Sequence, residues 1–163
     1  SDVGIESTIV DCSRATPTLL RPGWITPQQL EAALGAPLAA PDANAPRVSG
    51  SLEKHYSPQT PVMLMEADLV VELARSLMKQ GKRVAVLARS ARRPVIDGLV
   101  WVAASADPAG YAHDLYANLR ELDQAGCDAI LVEQPPEVEE WFAIRDRLTR
   151  AAAGSGELAD DYP

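Results

Sequence analysis

The sequence lacks any run of eighteen or more uncharged apolar residues, which excludes a membrane-spanning helix. Basic charge is scarce. Fifteen Lys and Arg stand against 23 Asp and Glu, a formal net charge of −8. That balance argues against a sequence-independent grip on nucleic acid by phosphate neutralisation. Cysteine is nearly absent. Cys12 and Cys127 are too few for a disulfide scaffold and lack the CxxC or Cys/His spacing of a metal site, so both read as reduced core thiols. Glycine-rich phosphate cradles are missing too: no GxGxxG or P-loop follows a candidate strand. No signal peptide opens the chain, so a cytoplasmic location is the default expectation. The first residues are Ser-Asp rather than Met, which leaves room for a processed, tagged or partial chain. What is present is ordinary for a folded protein. The 163 residues are 47% hydrophobic and 23% charged, enough for one domain with an appended segment and unlike a disordered or low-complexity chain.

Proline divides the chain. Eight of its thirteen prolines lie at or before Pro61, so that stretch holds only short elements. Residues 1–35 read as a strand over Ser7–Asp11 and a second over Thr18–Arg21. The Pro22-Gly23 turn closes the second. A helix follows, with Thr26 as N-cap, Pro27 at its first position, an apolar stripe of Leu30, Ala33 and Leu34, and Gly35 as its stop. Two strands and one helix cannot bury a core of their own, so this piece looks like the end of something larger. Residues 36–61 read as a linker whose Pro-rich first half suits a tether.

Residues 62–153 alternate strand and helix, with a tail over 154–163. Val62–Met65 reads as a buried strand, and Leu69, Val70, Leu73, Leu77 and Met78 as one helix face stopped by Gly81. Arg83–Leu87 reads as a strand buried on both faces, Leu99–Val102 as a third and Ala129–Val132 as a fourth. Asp107-Pro108 opens a helix to about residue 125 with a stripe of Tyr111, Leu115, Leu119 and Leu122. A last helix covers Val138–Ala152, with Glu137, Glu139 and Glu140 in its first turn and Trp141, Ile144 and Leu148 on its buried face. The expected fold class is α/β, a Rossmann-like three-layer domain with a mostly parallel sheet. Fold alone does not give function.

Three residue groups could carry chemistry. Ser7-Thr8 and Arg21 sit on the two short strands, and hydroxyls beside a guanidinium fork suit an oxyanion or phosphate. Ordinary strand residues and a surface Arg would look the same. Lys54, His55 and Tyr56 lie together in the linker. One reading is a lid over a bound anion; the other is a solvated loop anchored by Tyr56. His113, on a helix, reads as a partly exposed helix residue.

Taken together, several segments resemble one family. They are Gly4–Asp11, Leu20-Arg21-Pro22-Gly23 with Ile25-Thr26, Val48-Ser49-Gly50-Ser51 with His55-Tyr56-Ser57-Pro58, Tyr111–Arg120 and Ala143–Leu148. Their order resembles the carboxyl-terminal half of the Sua5 form of threonylcarbamoyl-AMP synthase. The resemblance implies that residues 1–35 end a YrdC-like catalytic domain, that 36–61 are its linker and active-site lid, and that 62–153 are the Sua5 domain. It implies synthesis of threonylcarbamoyl-AMP and pyrophosphate from L-threonine, bicarbonate and ATP, with Mg²⁺ held mainly through the phosphates. The product feeds the threonylcarbamoyl-adenosine (t6A) modification of tRNA through a downstream threonylcarbamoyl transferase.

Carried over residue by residue, the resemblance implies Ser7 in the threonine pocket and Arg21 and Tyr56 on the nucleotide. The family's amino-terminal ATP motif is absent from this sequence. These 163 residues are therefore expected to be inactive without the rest of a YrdC-like domain, and the catalytic residues are not assigned. Two alternatives stand beside this. One is a regulatory or interaction module with no chemistry of its own. The other is an independent nucleotide-binding domain using the crevice at the carboxyl ends of its strands.

Overall fold

The computed structural model describes residues 7–45 and 56–156. Lys54 and His55 lie outside them. The described residues form two compact units, one of 7–45 with 137–147 and the other of 56–136 with 148–156.

In the first unit, β1 (Ile9–Asp11) and β2 (Thr18–Arg21) pair antiparallel. The register slips between Ile9 and Val10: Ile9 faces Arg21 while Val10 faces Leu19. One extra residue on β2, Leu20, makes a bulge, a device that re-aims neighbouring side chains. α1 (Pro27–Leu34) starts where expected. The Thr26 hydroxyl accepts from the Gln29 N–H, and the Gln29 side chain accepts from the Thr26 N–H, a closed capping box. Gly35 ends the helix at φ 67°, and its N–H reaches the Glu31 carbonyl. Nothing on α1 is buried, and Leu34 is 43% exposed. Within the described residues its apolar stripe is half-covered at Leu30 and exposed at Ala33 and Leu34.

The Pro-rich stretch after α1 is not a loose tether. Ala39 bridges to Thr18, accepting from the Leu19 N–H at 3.0 Å and donating to the Pro17 carbonyl at 2.8 Å. Arg14 pairs with Asp42 at 2.9 Å on one side and Asp11 at 3.4 Å on the other. Prolines do not prevent this, because the donors come from the non-proline residues between them.

The second unit holds a four-stranded sheet of β3 (Val62–Met65), β4 (Val84–Ala88), β5 (Val100–Ala103) and β6 (Ala129–Glu133). Their spatial order is β3-β6-β4-β5, and every neighbouring pair is parallel. Helix α2 (Ala67–Lys79) carries β3 to β4 in one direction across the sheet. Helix α3 (Pro108–Gln124) carries β5 back to β6 in the other. Right-handed crossovers running in opposite directions place their helices on opposite faces. The central strands β4 and β6 are therefore covered on both sides, and all ten of their residues are buried. Val70 and Ala74 of α2 pack with Val84, Val86, Ala88 and Leu131. Asp107 caps α3 through the Gly110 N–H at 3.0 Å, and Tyr111, Leu115, Leu119 and Leu122 are all buried. The α/β expectation with a parallel sheet flanked by helices holds.

Four details differ from the sequence expectation. β3 is an edge strand with one partner, so Met63 stays 38% exposed where full burial was expected. Leu69 is 50% exposed, because the burial axis of α2 runs through Val70 and Ala74 and Leu69 lies one residue off it in the first turn. Cys12 is exposed rather than in a core, since the chain leaves β1 there. The last helix, α4 (Phe142–Gly154), begins later than Val138 and is entered through a 3₁₀ turn over Glu139–Trp141.

Candidate functional site

Ser7 lies just ahead of β1, and Arg21 closes β2 opposite Ile9. Both belong to the first unit, Arg21 within the β1–β2 ladder and Ser7 two residues ahead of it. Ser7 is exposed, and Arg21 is nearly buried. The turn after β2 fixes the Ser7 backbone. A Cβ on Gly23 would sit 2.4 Å from the Ser7 carbonyl carbon and oxygen and 2.6 Å from the Thr8 nitrogen. Only glycine lets the two backbones approach this closely. The Thr8 hydroxyl then donates to the Ile25 carbonyl at 3.0 Å. At the far end of β1, Asp11 accepts from both the backbone N–H and the hydroxyl of Ser13, a local turn that closes the strand. Those bonds hold the Asp11 carboxyl below its ordinary range.

Tyr56 belongs to the second unit, where its phenol donates to Asp123 at 2.8 Å. Asp123 is the hub of this contact. Its two oxygens also accept from the Gln59 N–H at 3.2 Å, the Thr60 N–H at 3.0 Å and the Thr60 hydroxyl at 2.8 Å. Arg120, one turn earlier on α3, lies over the Tyr56 ring at 5.8 Å, within cation–π range. Burial of the phenol, with the Asp123 bond and charge, pushes Tyr56 up to about 12 against a smaller opposing pull from Arg120. Burial would raise Asp123, but its donors outweigh that and leave it below the ordinary carboxyl range. The contact borders an open depression of about 770 Å³ lined by Thr60, Arg120, Gln124, Cys127 and Asp128. Among the described residues, Tyr56 is docked on α3.

The carboxyl ends of the parallel strands are the usual ligand crevice of such sheets. Here Glu133, the last residue of β6 and only 2% exposed, stands at that end of the sheet. It accepts from the N–H groups of Arg89, Ser90 and Ala91 at 2.8, 2.9 and 3.0 Å, and from the Ser90 hydroxyl. Three successive N–H groups aimed at one anion make a nest of the kind that holds phosphate elsewhere. Burial alone would raise the Glu133 carboxyl, but the Ser90 hydroxyl and the three N–H groups overcome it and lower it. Tyr111, on the helix behind, has its phenol pushed up by burial and by the Glu133 charge. The nest already has a resident carboxylate, which weighs against the third alternative, a nucleotide site at the strand ends.

The same economy recurs in the first unit. The Glu139 carboxylate accepts from the Gln28 N–H at the start of α1, at 3.1 Å. Glu137 pairs with Arg145 at 3.2 Å. Glu139 thus serves α1 and Glu137 an ion pair, and none of Glu137, Glu139 and Glu140 is a first-turn residue of α4, because Glu139 and Glu140 lie in the 3₁₀ turn before it and Glu137 ahead of that turn.

Sequence reasoning missed Asp123 and Glu133, though both leave a trace. Glu133 directly ends an apolar strand run, where a lone carboxylate needs donors. Asp123 sits in the last turn of a helix, where the macrodipole disfavours an acid unless local donors compensate.

The fold defines a class first: a parallel α/β domain whose strand-end nest is satisfied internally, joined in sequence to a small strand-strand-helix unit. The comparisons then specify the family. Residues 25–153 match the family described as threonylcarbamoyl-AMP synthase, C-terminal domain, and the chain belongs to that family. It is similar to the Bacillus subtilis (strain 168) threonylcarbamoyl-AMP synthase, at 32% identity over 160 residues, covering 93% of this chain and 46% of the relative. It is similar also to the Schizosaccharomyces pombe protein of that name, at 30% identity over 174 residues, covering 93% of this chain and 43% of the relative. Among solved structures, that of Pyrococcus abyssi Sua5 complexed with L-threonine aligns with a TM-score of 0.75 and 25% identity, over 93% of this chain and 46% of that one. The chain therefore spans just under half the length of these relatives.

Proposed function

We propose that this chain is the carboxyl-terminal portion of an L-threonylcarbamoyladenylate synthase, a nucleotidyltransferase that makes threonylcarbamoyl-AMP and pyrophosphate from L-threonine, bicarbonate and ATP for t6A synthesis. The observation that carries the reading is the 32% identity to a threonylcarbamoyl-AMP synthase along 93% of the chain. In this reading the first unit is the end of a YrdC-like catalytic domain. Ser7 contributes a hydroxyl to the threonine pocket, held in place by the Gly23 approach. Arg21 supplies a guanidinium fork to the nucleotide, and Tyr56 supplies an aromatic donor that helps keep water from the triphosphate. Magnesium arrives with ATP and is held through the phosphates, so no residue of this chain is assigned to it. The 163 residues do not turn over on their own, because the remaining nucleotide and threonine contacts belong to the YrdC-like domain.

A second reading, an interaction or regulatory module without its own catalysis, draws on the self-filled nest around Glu133. It concerns the second unit and is compatible with the first reading of the whole. Calorimetry with ATP, AMP and L-threonine separates them. It is run on this chain and on the chain extended by the upstream residues its relatives carry. Nucleotide and threonine binding confined to the extended chain supports the synthase portion. Absence of nucleotide binding in both overturns it in favour of the interaction module.

A further inference from the structure

Asp123 is more than a strut. A phenol has one proton to donate, and here Tyr56 gives it to Asp123 at 2.8 Å. The same carboxylate collects three further donors from Gln59 and Thr60, so residues 56–60 arrive on α3 as a unit. Arg120 covers the ring face from one turn away. A Tyr56 docked in this way has neither its proton nor its Arg120-covered face to offer a ligand. Any nucleotide that uses the phenol as a donor must first take it from Asp123.

We propose that Asp123 is a positioning residue that competes with the nucleotide for the Tyr56 phenol, so that the dock on α3 sets how readily the proposed nucleotide site is completed. This rests on the reading above in which Tyr56 contacts the nucleotide. The consequence follows from population arithmetic: apparent affinity falls by the fraction of molecules that are not competent to bind. If the dock holds about nine molecules in ten, weakening it tightens nucleotide binding about tenfold. A structural strut would behave oppositely, because loosening it would only scatter the linker and weaken binding.

The test uses the extended chain and a non-hydrolysable ATP analogue. Asp123→Asn keeps an acceptor but removes the charge. It is expected to lower Kd and the KM for ATP about three- to tenfold, while kcat falls or stays level. Tyr56→Phe weakens binding, and adding Asp123→Asn to it gives no gain. If Asp123→Asn leaves affinity unchanged or weaker while Tyr56→Phe still weakens it, the competition is overturned and the role of Tyr56 stands. If Tyr56→Phe leaves affinity unchanged, the nucleotide role of Tyr56 fails and takes the competition with it.

A second measurement needs no variant at Asp123. Carboxyl NMR of the wild-type extended chain follows Asp123 with and without saturating analogue. Loss of the phenol should raise its titration midpoint toward the ordinary range near 3.8. An unmoved midpoint under saturation overturns the proposal.

Discussion

At the scale of single residues, the chain's own carboxylates do the anchoring. Glu133 is the clearest case, because a buried charge survives only when its donors are complete. Glu133→Ala would leave the N–H groups of Arg89, Ser90 and Ala91 facing an empty nest. Each unsatisfied buried donor costs on the order of 1–3 kcal/mol, and relaxation and water entry reduce the sum, so about 2–4 kcal/mol of stability should be lost. Chemical denaturation of this chain reads that number directly. Glu133→Gln should lose less, since the amide oxygen still accepts. The pH dependence has a definite sign. Glu133 and Asp123 are both lowered in the folded state, so their contribution is fully present above the unfolded values near 4.5 and 3.8 and disappears as pH falls through the folded ones. Tyr56 is raised, so its share is complete below its unfolded value near 10 and is lost as pH rises through about 12. Unfolding midpoints of the wild type and Glu133→Gln should therefore draw together as pH falls from about 4.5 through the lowered folded value of Glu133. Curves that stay parallel across the whole acid unfolding limb would show that this carboxylate does not carry the acid sensitivity.

At the scale of elements, legibility followed how local the cause was. The two capped helices were readable because Thr26-Pro27 and Asp107-Pro108 each place an acceptor beside a residue that needs no N–H partner. The stripe of α3 was readable because four of its residues repeat at helical spacing and all four are buried. The edge position of β3, the exposure of Leu69 and the pairing of Ala39 with Thr18 were not, because strand order and sheet edges are set by contacts distant in sequence. The candidate site divided in the same way. Ser7, Arg21 and Tyr56 were singled out as residue types and by the segments that resemble the family. Their partners were invisible, because the close approach of Gly23 to Ser7 and the reach of Tyr56 to Asp123 exist only after folding. The first of these is open to test. Gly23→Ala would drive a methyl group into the Ser7–Thr8 peptide, which is backbone and cannot turn aside. The turn and β1 must separate, at a cost of about 1–3 kcal/mol. On the proposed synthase reading, in which Ser7 lines the threonine pocket, L-threonine affinity of the extended chain should fall while melting of the second unit is unchanged. Threonine binding equal to wild type would show that the position of Ser7 does not depend on this approach.

At the scale of the whole molecule, burial is distributed unevenly, and that makes a quantitative forecast. The central strands β4 and β6 are buried throughout, whereas α1 buries nothing among the described residues. An isolated helix shorter than about 12 residues is marginal in water even with good caps, because few hydrogen bonds offset the cost of its first turn. α1 has eight residues, a complete capping box and a left-handed glycine at its end, yet no fully buried side chain, and the Gln28–Glu139 hydrogen bond ties its start to the residues before α4. Its amides should therefore exchange with solvent through local opening that leaves the parallel sheet intact. Native-state hydrogen exchange on this chain should find α1 protected at least a hundredfold less than β4 and β6, a gap of about 2.8 kcal/mol in opening free energy at about 1.4 kcal/mol per decade. The proposed synthase reading adds a second arm: the residues that precede this span in the relatives would cover the Leu30–Leu34 stripe, so the extended chain should raise α1 protection by at least tenfold and leave β4 unchanged. Equal protection of α1 and β4 in the present chain would mean that caps alone suffice for an eight-residue helix, against the energetics of helix initiation. A gap that persists unaltered in the extended chain would instead mean that the stripe faces water in the complete protein as well, and that the first unit is not the edge of a larger catalytic core.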